Sequence, residues 1–314
     1  MGYPIARSVK LVENHVQGEL AAAGLQASIE VNASIPSMQP HNSVQKIDGV
    51  KNIIAVASGK GGVGKSTTSA NLALALAYEG ARVGVLDADI YGPSQPQMFG
   101  LGDAHPEVVN NKTIRPLIGH GVQVVSMGSL ISENTPMVWR GPMVSGALKQ
   151  LLTQTIWDDV DYLIVDMPPG TGDIQLTLSQ SVPVSTSVIV TTPQDIALLD
   201  AKKGIEMFRK VSIPVTGVVE NMSVHVCSNC GHKEAIFGER GGERLAKEYD
   251  TPLLGRLPLQ LSIREQADGG CPSVAKDPSS EESQIYRDIA AKIAADVWVR
   301  SFQPSGPQIS LVDD

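Results

Sequence analysis

One nine-residue stretch, Gly59-Lys60-Gly61-Gly62-Val63-Gly64-Lys65-Ser66-Thr67, restricts the fold of this chain more than any other. It fits the phosphate-binding pattern G-x-x-x-x-G-K-S/T and carries a second lysine, Lys60, directly after the first glycine. Ile53 to Ala57 before it read as a short buried strand, and Thr68 to Tyr78 after it as an Ala- and Leu-rich helix. In that setting the glycine-rich turn lets backbone N–H groups wrap phosphates, and the helix N-terminus adds partial positive charge. Gly59 through Thr67 are therefore expected to bind the phosphates of ATP. Lys65 is expected to reach the β- and γ-phosphates, and the Ser66 hydroxyl to ligate Mg²⁺.

The rest of the chain is consistent with a large α/β domain. Across 314 residues, 42% are hydrophobic but only 4% aromatic, so Val, Ile, Leu and Ala must fill the core, as buried parallel strands require. From Lys51 onward, apolar strand-like runs alternate with helical ones. The strand readings are Arg82 to Leu86, Val122 to Met127, Tyr162 to Val165, Ser187 to Val190, Val215 to Val219 and a short one at Leu253. Helices are expected at 196–209, 241–249 and 282–298. Repeated β–α units predict a doubly wound, mostly parallel sheet, with functional residues at the carboxyl ends of strands. Residues 1–48 read as a short α+β appendage and linker, with a helix over 6–24 and a strand over 27–33. Residues 49–302 are the main domain and 303–314 a tail.

A net charge of −8 argues against general affinity for nucleic acid or anionic membrane. No run is long and apolar enough to span a bilayer, and the first residues lack a signal-peptide core. Three cysteines do not make a secreted disulfide framework, so the expected address is the cytoplasm.

Three strand ends carry polar groups of the kind a nucleotide site needs. Asp166, after Leu163-Ile164-Val165, reads as the carboxylate that holds Mg²⁺, and Pro168-Pro169-Gly170-Thr171-Gly172-Asp173 follows as a switch loop. Asp87 and Asp89 end the second strand. Asp89 is assigned the attacking water, and Asp87 a place around Mg²⁺ or in the scaffold; either could instead cap a helix. Asn221 ends another strand, where its amide can pair with an adenine edge or simply close a turn.

The loop with Lys60 resembles the deviant Walker A class of P-loop NTPases, which includes the MinD and ParA families. In that class the extra lysine reaches across a homodimer to the partner's nucleotide, which makes Lys60 a catalytic candidate with Lys65 and Asp89. Asp87-Ala88-Asp89-Ile90-Tyr91-Gly92-Pro93-Ser94, Trp139-Arg140-Gly141-Pro142-Met143, Asp166 through Leu176, and Asn221-Met222-Ser223 more closely resemble the Mrp/NBP35 (ApbC) family, in its bacterial Mrp branch. That resemblance implies an ATP-hydrolysing iron–sulfur cluster carrier. The N-terminal segment would correspond to the second half of the MIP18-type domain found in such proteins.

Cys227-Ser228-Asn229-Cys230 is a C-x-x-C turn in a Gly- and Asn-containing loop. It lacks the second C-x-x-C of a zinc ribbon. A single-chain zinc site from Cys227, Cys230, His225 and His232 is one reading. A 4Fe–4S cluster takes four thiolates, of which one chain offers two here. A twofold dimer would bring two such loops together and supply four, in line with what Lys60 predicts. The resemblance implies the same arrangement, with apo iron–sulfur proteins and cluster assembly factors as partners. Cys271 reads as a spare small residue. A MinD- or ParA-like positioning ATPase that binds membrane or DNA is the alternative function.

Overall fold

The computed structural model describes residues 1–38, 44–102, 104–110, 112–130 and 141–302. Trp139 and Arg140 and the 303–314 tail lie outside them. The first strand, β1 (Val50–Ala57), runs into the phosphate-binding turn and α2 (Lys65–Tyr78); an earlier helix, α1 (Val9–Ala22), precedes it. Then follow β2 (Val83–Asp87), α3 (Gln95–Met98), β3 (Glu107–Val109), β4 (Thr113–Arg115), β5 (Leu117–Gly119), β6 (Val122–Ser126) and α4 (Gly141–Gln154). The second half holds β7 (Val160–Asp166), α5 (Asp173–Ser181), β8 (Thr186–Thr191), α6 (Asp195–Lys210), β9 (Val215–Glu220), β10 (His225–Val226) and β11 (Lys233–Glu234). It closes with α7 (Gly241–Glu248), β12 (Leu253–Arg256), α8 (Leu261–Asp268), α9 (Ser273–Lys276) and α10 (Glu281–Ser301).

Eight strands form one sheet in the order β12-β9-β8-β1-β7-β2-β6-β5, parallel except for the edge pair β5–β6. Side chains alternate between its faces, as pleating demands. Ile54 and Val56 pack with Leu72, Leu76, Ile289 and Ile293 on the side of α2 and α10. Ile53 and Ala55 pack with Leu148, Leu152, Ile205 and Phe208 on the side of α4 and α6. Both faces are covered, which is why the central strands read as unbroken apolar runs. β1 is flanked by β7 and β8, and the chain departs from it in one direction to β2 and crosses to the other through α5. A crevice opens at such a switch point, and the phosphate-binding turn lies there.

Register then fixes the chemistry. Val56 of β1 and Asp87 of β2 both pair with Asp166 of β7, so the two aspartates end adjacent strands at the same level.

The N-terminal expectation holds for the helix and fails for the strand. Residues 25–38 join no sheet; Ser34 N–H donates to the Met1 carbonyl and the N-terminal ammonium to the Asn32 carbonyl, so the segment pairs with the chain's own start. α1 buries no residue, and Leu11 and Val16 on it are exposed. The segment docks instead by its two ends. Ile5 and Met38 are buried, Met38 N–H donates to Asn52 Oδ1, and Arg7 pairs with Glu79. Among the described residues no helix is long and apolar enough to cross a membrane.

Candidate active site

The phosphate-binding turn takes its shape from two glycines in the left-handed region, Gly62 (φ 80°) and Gly64 (φ 79°). Gly64 is also a close-approach position: a Cβ there would lie 2.1 Å from Asn221 Nδ2. Asn221 Nδ2 donates to the Val63 carbonyl (2.8 Å), and its Oδ1 accepts from Met222 N–H (2.9 Å). The amide thus braces the turn from below, leaving one N–H and one lone pair for any base.

Lys65 opens α2, and its ammonium is buried against Asp166, Nζ to Oδ1 2.5 Å, with Ser66 Oγ 3.2 Å away. Asp166 is fully buried, and its oxygens also accept from Ser69 Oγ (2.8 Å) and Gln95 Nε2 (2.9 Å). Asp87, one strand over, accepts backbone N–H groups from Ser94 (2.8 Å), Gln95 (2.9 Å) and Asp89 (3.1 Å). Burial above all, and then the neighbouring Asp166 carboxylate, push Asp87 up to about 7 against the pull of those three donors. Asp87 is thereby the anchor of the turn that carries Ser94 and Gln95. Asp89 accepts from Tyr91 and Gly92 N–H groups (3.2 and 3.3 Å).

Lys60, Gly62, Lys65, Ser66, Thr67 and Asp89 line a single open cleft of about 270 Å³, with Pro169 from the switch segment on its rim. That segment is tied to the turn through Gly170 N–H to the Ser58 carbonyl (2.9 Å). Lys60 is half-buried, and its ammonium makes no ion pair with the described residues. Mg²⁺ with a nucleotide fits this donor set: a hydroxyl at Ser66, a carboxylate at Asp166, and two buried acceptors nearby, Ser94 Oγ and Gln95 Oε1, without hydrogen-bond donors. Ser69 and Gln95 are the residues that reading the sequence misses. Ser69 could have been found as the residue one helical turn after Lys65 on the same face; nothing in the local pattern marks Gln95.

Cys227 and Cys230 sit apart from the cleft, at the tip of the antiparallel ribbon β10–β11. Cys227 N–H donates to the His232 carbonyl and Gly231 N–H to the Cys227 carbonyl, both 2.9 Å, so the turn is closed by backbone bonds. Cys227 is half-buried and Cys230 exposed; both are free thiols. Backbone N–H groups of Cys230 and then Asn229, followed by the Cys230 thiol, hold the Cys227 thiol below its ordinary range. No group of three or more His, Cys, Asp or Glu able to hold a metal occurs among the described residues, so His225 and His232 do not complete a single-chain zinc site. The ribbon overhangs a second cleft of about 410 Å³ bounded by Glu220, Lys233, Arg256 and Glu281. Its cations are already matched, Lys233 by Glu281 and Arg256 by Glu220 and Glu243. Cys271 lies between α8 and α9, half-buried and unpaired.

A sequence model described as ParA, the NUBPL iron-transfer P-loop NTPases, matches residues 49–294. The chain belongs to this family. Within it, the chain is 64% identical over 268 residues to an iron–sulfur cluster carrier protein of Pseudomonas fragi, covering 84% of this chain and 92% of the relative. It is 52% identical over 265 residues to the mouse iron–sulfur cluster transfer protein NUBPL, covering 84% and 81%. Among solved structures, a nucleotide-binding protein from Archaeoglobus fulgidus in complex with ADP superimposes with a TM-score of 0.63 at 36% identity, over 71% of this chain and 88% of that one. MinD of Pyrococcus furiosus shares the fold, with a TM-score of 0.59 at 23% identity over 78% and 98%. The segment matched to the NUBPL-type NTPases contains both the cleft and the thiol ribbon and begins just before β1.

Proposed function

We propose that this protein is an ATP-dependent iron–sulfur cluster carrier. ATP would be held by the backbone of Gly59 to Thr67 and by Lys65, with Mg²⁺ held by Ser66 and Asp166 and steadied by Asp87. Asp89 positions water for attack on the γ-phosphate, and ATP and water become ADP and phosphate. Lys60, without an ion pair among the described residues, serves the nucleotide of a second copy across a twofold axis. The cargo is a 4Fe–4S cluster held by Cys227 and Cys230 of both copies and passed to apo iron–sulfur proteins after loading by assembly factors. The setting proposed is the cytoplasm, without nucleic acid or membrane as a partner.

One observation supports the coupling of the two sites most directly. Asn221 braces the phosphate-binding turn at the Val63 carbonyl, and the same short segment leads six residues later to Cys227. A rearrangement of the turn on nucleotide binding therefore pulls on the root of the thiol ribbon. Two thiols on the ribbon of each chain also favour a bridging cluster that can be released, over one enclosed in a single chain.

The test is anaerobic reconstitution followed by iron and sulfide analysis and sizing of the product. Wild type should hold about four iron and four sulfide per two chains, and Cys227→Ala none. A monomer that takes up zinc but never iron and sulfide would refute the carrier reading.

A further inference from the structure

The cleft of about 410 Å³ under the thiol ribbon holds negative charge that nothing in it answers. Each cation lining it has an acidic partner: Lys233 Nζ lies 3.1 Å from Glu281, Arg256 Nε 3.3 Å from Glu220 and Arg240 Nε 3.9 Å from Glu243. Glu239 and Glu282 line the same cleft, and neither makes an ion pair or hydrogen bond with the described residues.

Glu282 is the more demanding of the two. Only 8% of it is exposed, and it stands in the first turn of α10, behind the Ser280 cap. A helix N-terminus favours a carboxylate there, and the exposed Glu281 already supplies one. The helix dipole thus accounts for the sign of Glu282 but not for its burial. A carboxylate withdrawn from water needs donors or a cation in exchange. The buried Tyr286, one turn further on, makes no hydrogen bond to it; burial first, and the Glu282 charge second, push that phenol up. The surface that Glu282 keeps is in the cleft it lines.

Much of the remaining lining is apolar, from Val224, Val226, Pro258 and Ile285. Apolar walls that end on a carboxylate suit a side chain with a methylene stem and a cationic head, the make-up of lysine and arginine. A bare metal ion fits less well, since no group of three or more potential ligands gathers among the described residues. The place of the cleft then indicates whose side chain enters it. Val226 precedes Cys227 in the chain, so a segment seated here lies beside the thiols. We propose that this cleft receives a basic side chain of the apoprotein that takes the cluster, with Glu282 as its buried counter-charge. The inference rests on the carrier reading above and names the contact by which the receiving protein docks.

Two blocked tripeptides test the charge pairing without any cluster: valine–arginine–valine, and the same peptide with citrulline, which keeps the shape of arginine but not its charge. Binding is followed by the amide shifts of Val226 and Ile285 in ¹⁵N-labelled protein. The arginine peptide should saturate both shifts at millimolar concentration. The citrulline peptide should bind about tenfold more weakly, the scale of a lost charge-assisted hydrogen bond. Glu282→Gln should bring the arginine peptide down to the citrulline level and leave AMPPNP affinity within about twofold of wild type, because the nucleotide cleft shares no lining residue with this one. After reconstitution that variant should carry wild-type iron, yet need about tenfold more apo-ferredoxin of the 4Fe–4S type for half-maximal transfer, since the same contact is lost.

Equal affinity for the two peptides, or no saturable shift with either, overturns the proposal. So does an unchanged apo-ferredoxin requirement, which would give the cleft to another occupant. A monomer–dimer balance shifted by Glu282→Gln with peptide binding intact would assign the cleft to a second copy and overturn it as well. If Glu282→Gln does not fold, the citrulline comparison on wild type decides alone. Wild type that takes up no iron and sulfide would refute the carrier reading and with it the partner named here, while the peptide comparison would still decide the charge pairing.

Discussion

The nucleotide cleft and the thiol ribbon are built on opposite principles. In the cleft the charges other than Lys60 are answered inside the same chain: Lys65 by Asp166, Asp166 by Ser69 and Gln95, Asp87 by three backbone N–H groups. Eight strands and two helical layers hold these groups in register. The ribbon has two strands of two residues each, and its turn carries Cys227 half-buried and Cys230 exposed. In the proposed carrier it would supply two of a cluster's four ligands and leave the other two to a second copy. Under the proposed function the difference follows from the task, since a site that must surrender its cargo would be left open.

The contrast should appear most strongly in stability. Lys65→Met removes one partner of a fully buried pair and leaves Asp166 charged with only Ser69 and Gln95 as donors. Breaking such a pair costs about 3–5 kcal/mol. Cys227→Ser, on a turn held by backbone bonds, should cost less than about 0.5 kcal/mol. Urea unfolding of nucleotide-free protein measures both. A loss below about 1 kcal/mol for Lys65→Met would mean that Lys65 is not held on Asp166 in solution, and the comparison between the two regions would lose its basis.

The parts of both regions that lie in contiguous sequence were legible from it. The turn from Gly59 to Thr67 and the strand ending at Asp166 each carry their own context, so the fold and the strand–turn–helix shape of the turn followed from spacing and setting. Contacts made across the fold were not legible. Gln95 reaches Asp166 across 71 positions and Asn221 reaches Val63 across 158, and no local pattern encodes either bond. The residues of 27–33 alternate as a strand should, yet alternation cannot say whether a sheet edge is free to receive them. The exposed stripe on α1 shows the same limit, because periodicity predicts a helix without naming what covers it.

Asn221 is where the two regions meet, and its removal should sharpen the comparison. Asn221→Ala deletes the bond to Val63 but touches neither the cysteines nor Lys65. Loss of one buried hydrogen bond, roughly 1 kcal/mol, should weaken ATP binding about fivefold. Iron content after reconstitution should match wild type. Cluster transfer to an apoprotein should proceed at one rate with and without ATP, whereas wild type should show two. If the variant keeps the wild-type response to ATP, the strut between turn and ribbon carries no coupling.

The smallest expected effect concerns the ribbon alone, and it asks how ready the half-site is before any iron arrives. Cys227 is held below its ordinary thiol range by N–H groups of Cys230 and Asn229 first, and by the Cys230 thiol after them. These donors stabilise the thiolate, so a lowered pKa means more thiolate at neutral pH and faster alkylation there. Iodoacetamide labelling of Cys227, read by mass spectrometry against pH, should show a midpoint below that of a blocked cysteine peptide. Cys230→Ala removes the neighbouring thiol but keeps the backbone donors of residues 229 and 230, so the midpoint should stay below the peptide's. A full return to the peptide value in that variant would assign the effect to the thiol pair. The turn would then be an ordinary loop that happens to carry two cysteines, and its backbone would no longer count as preorganised for metal.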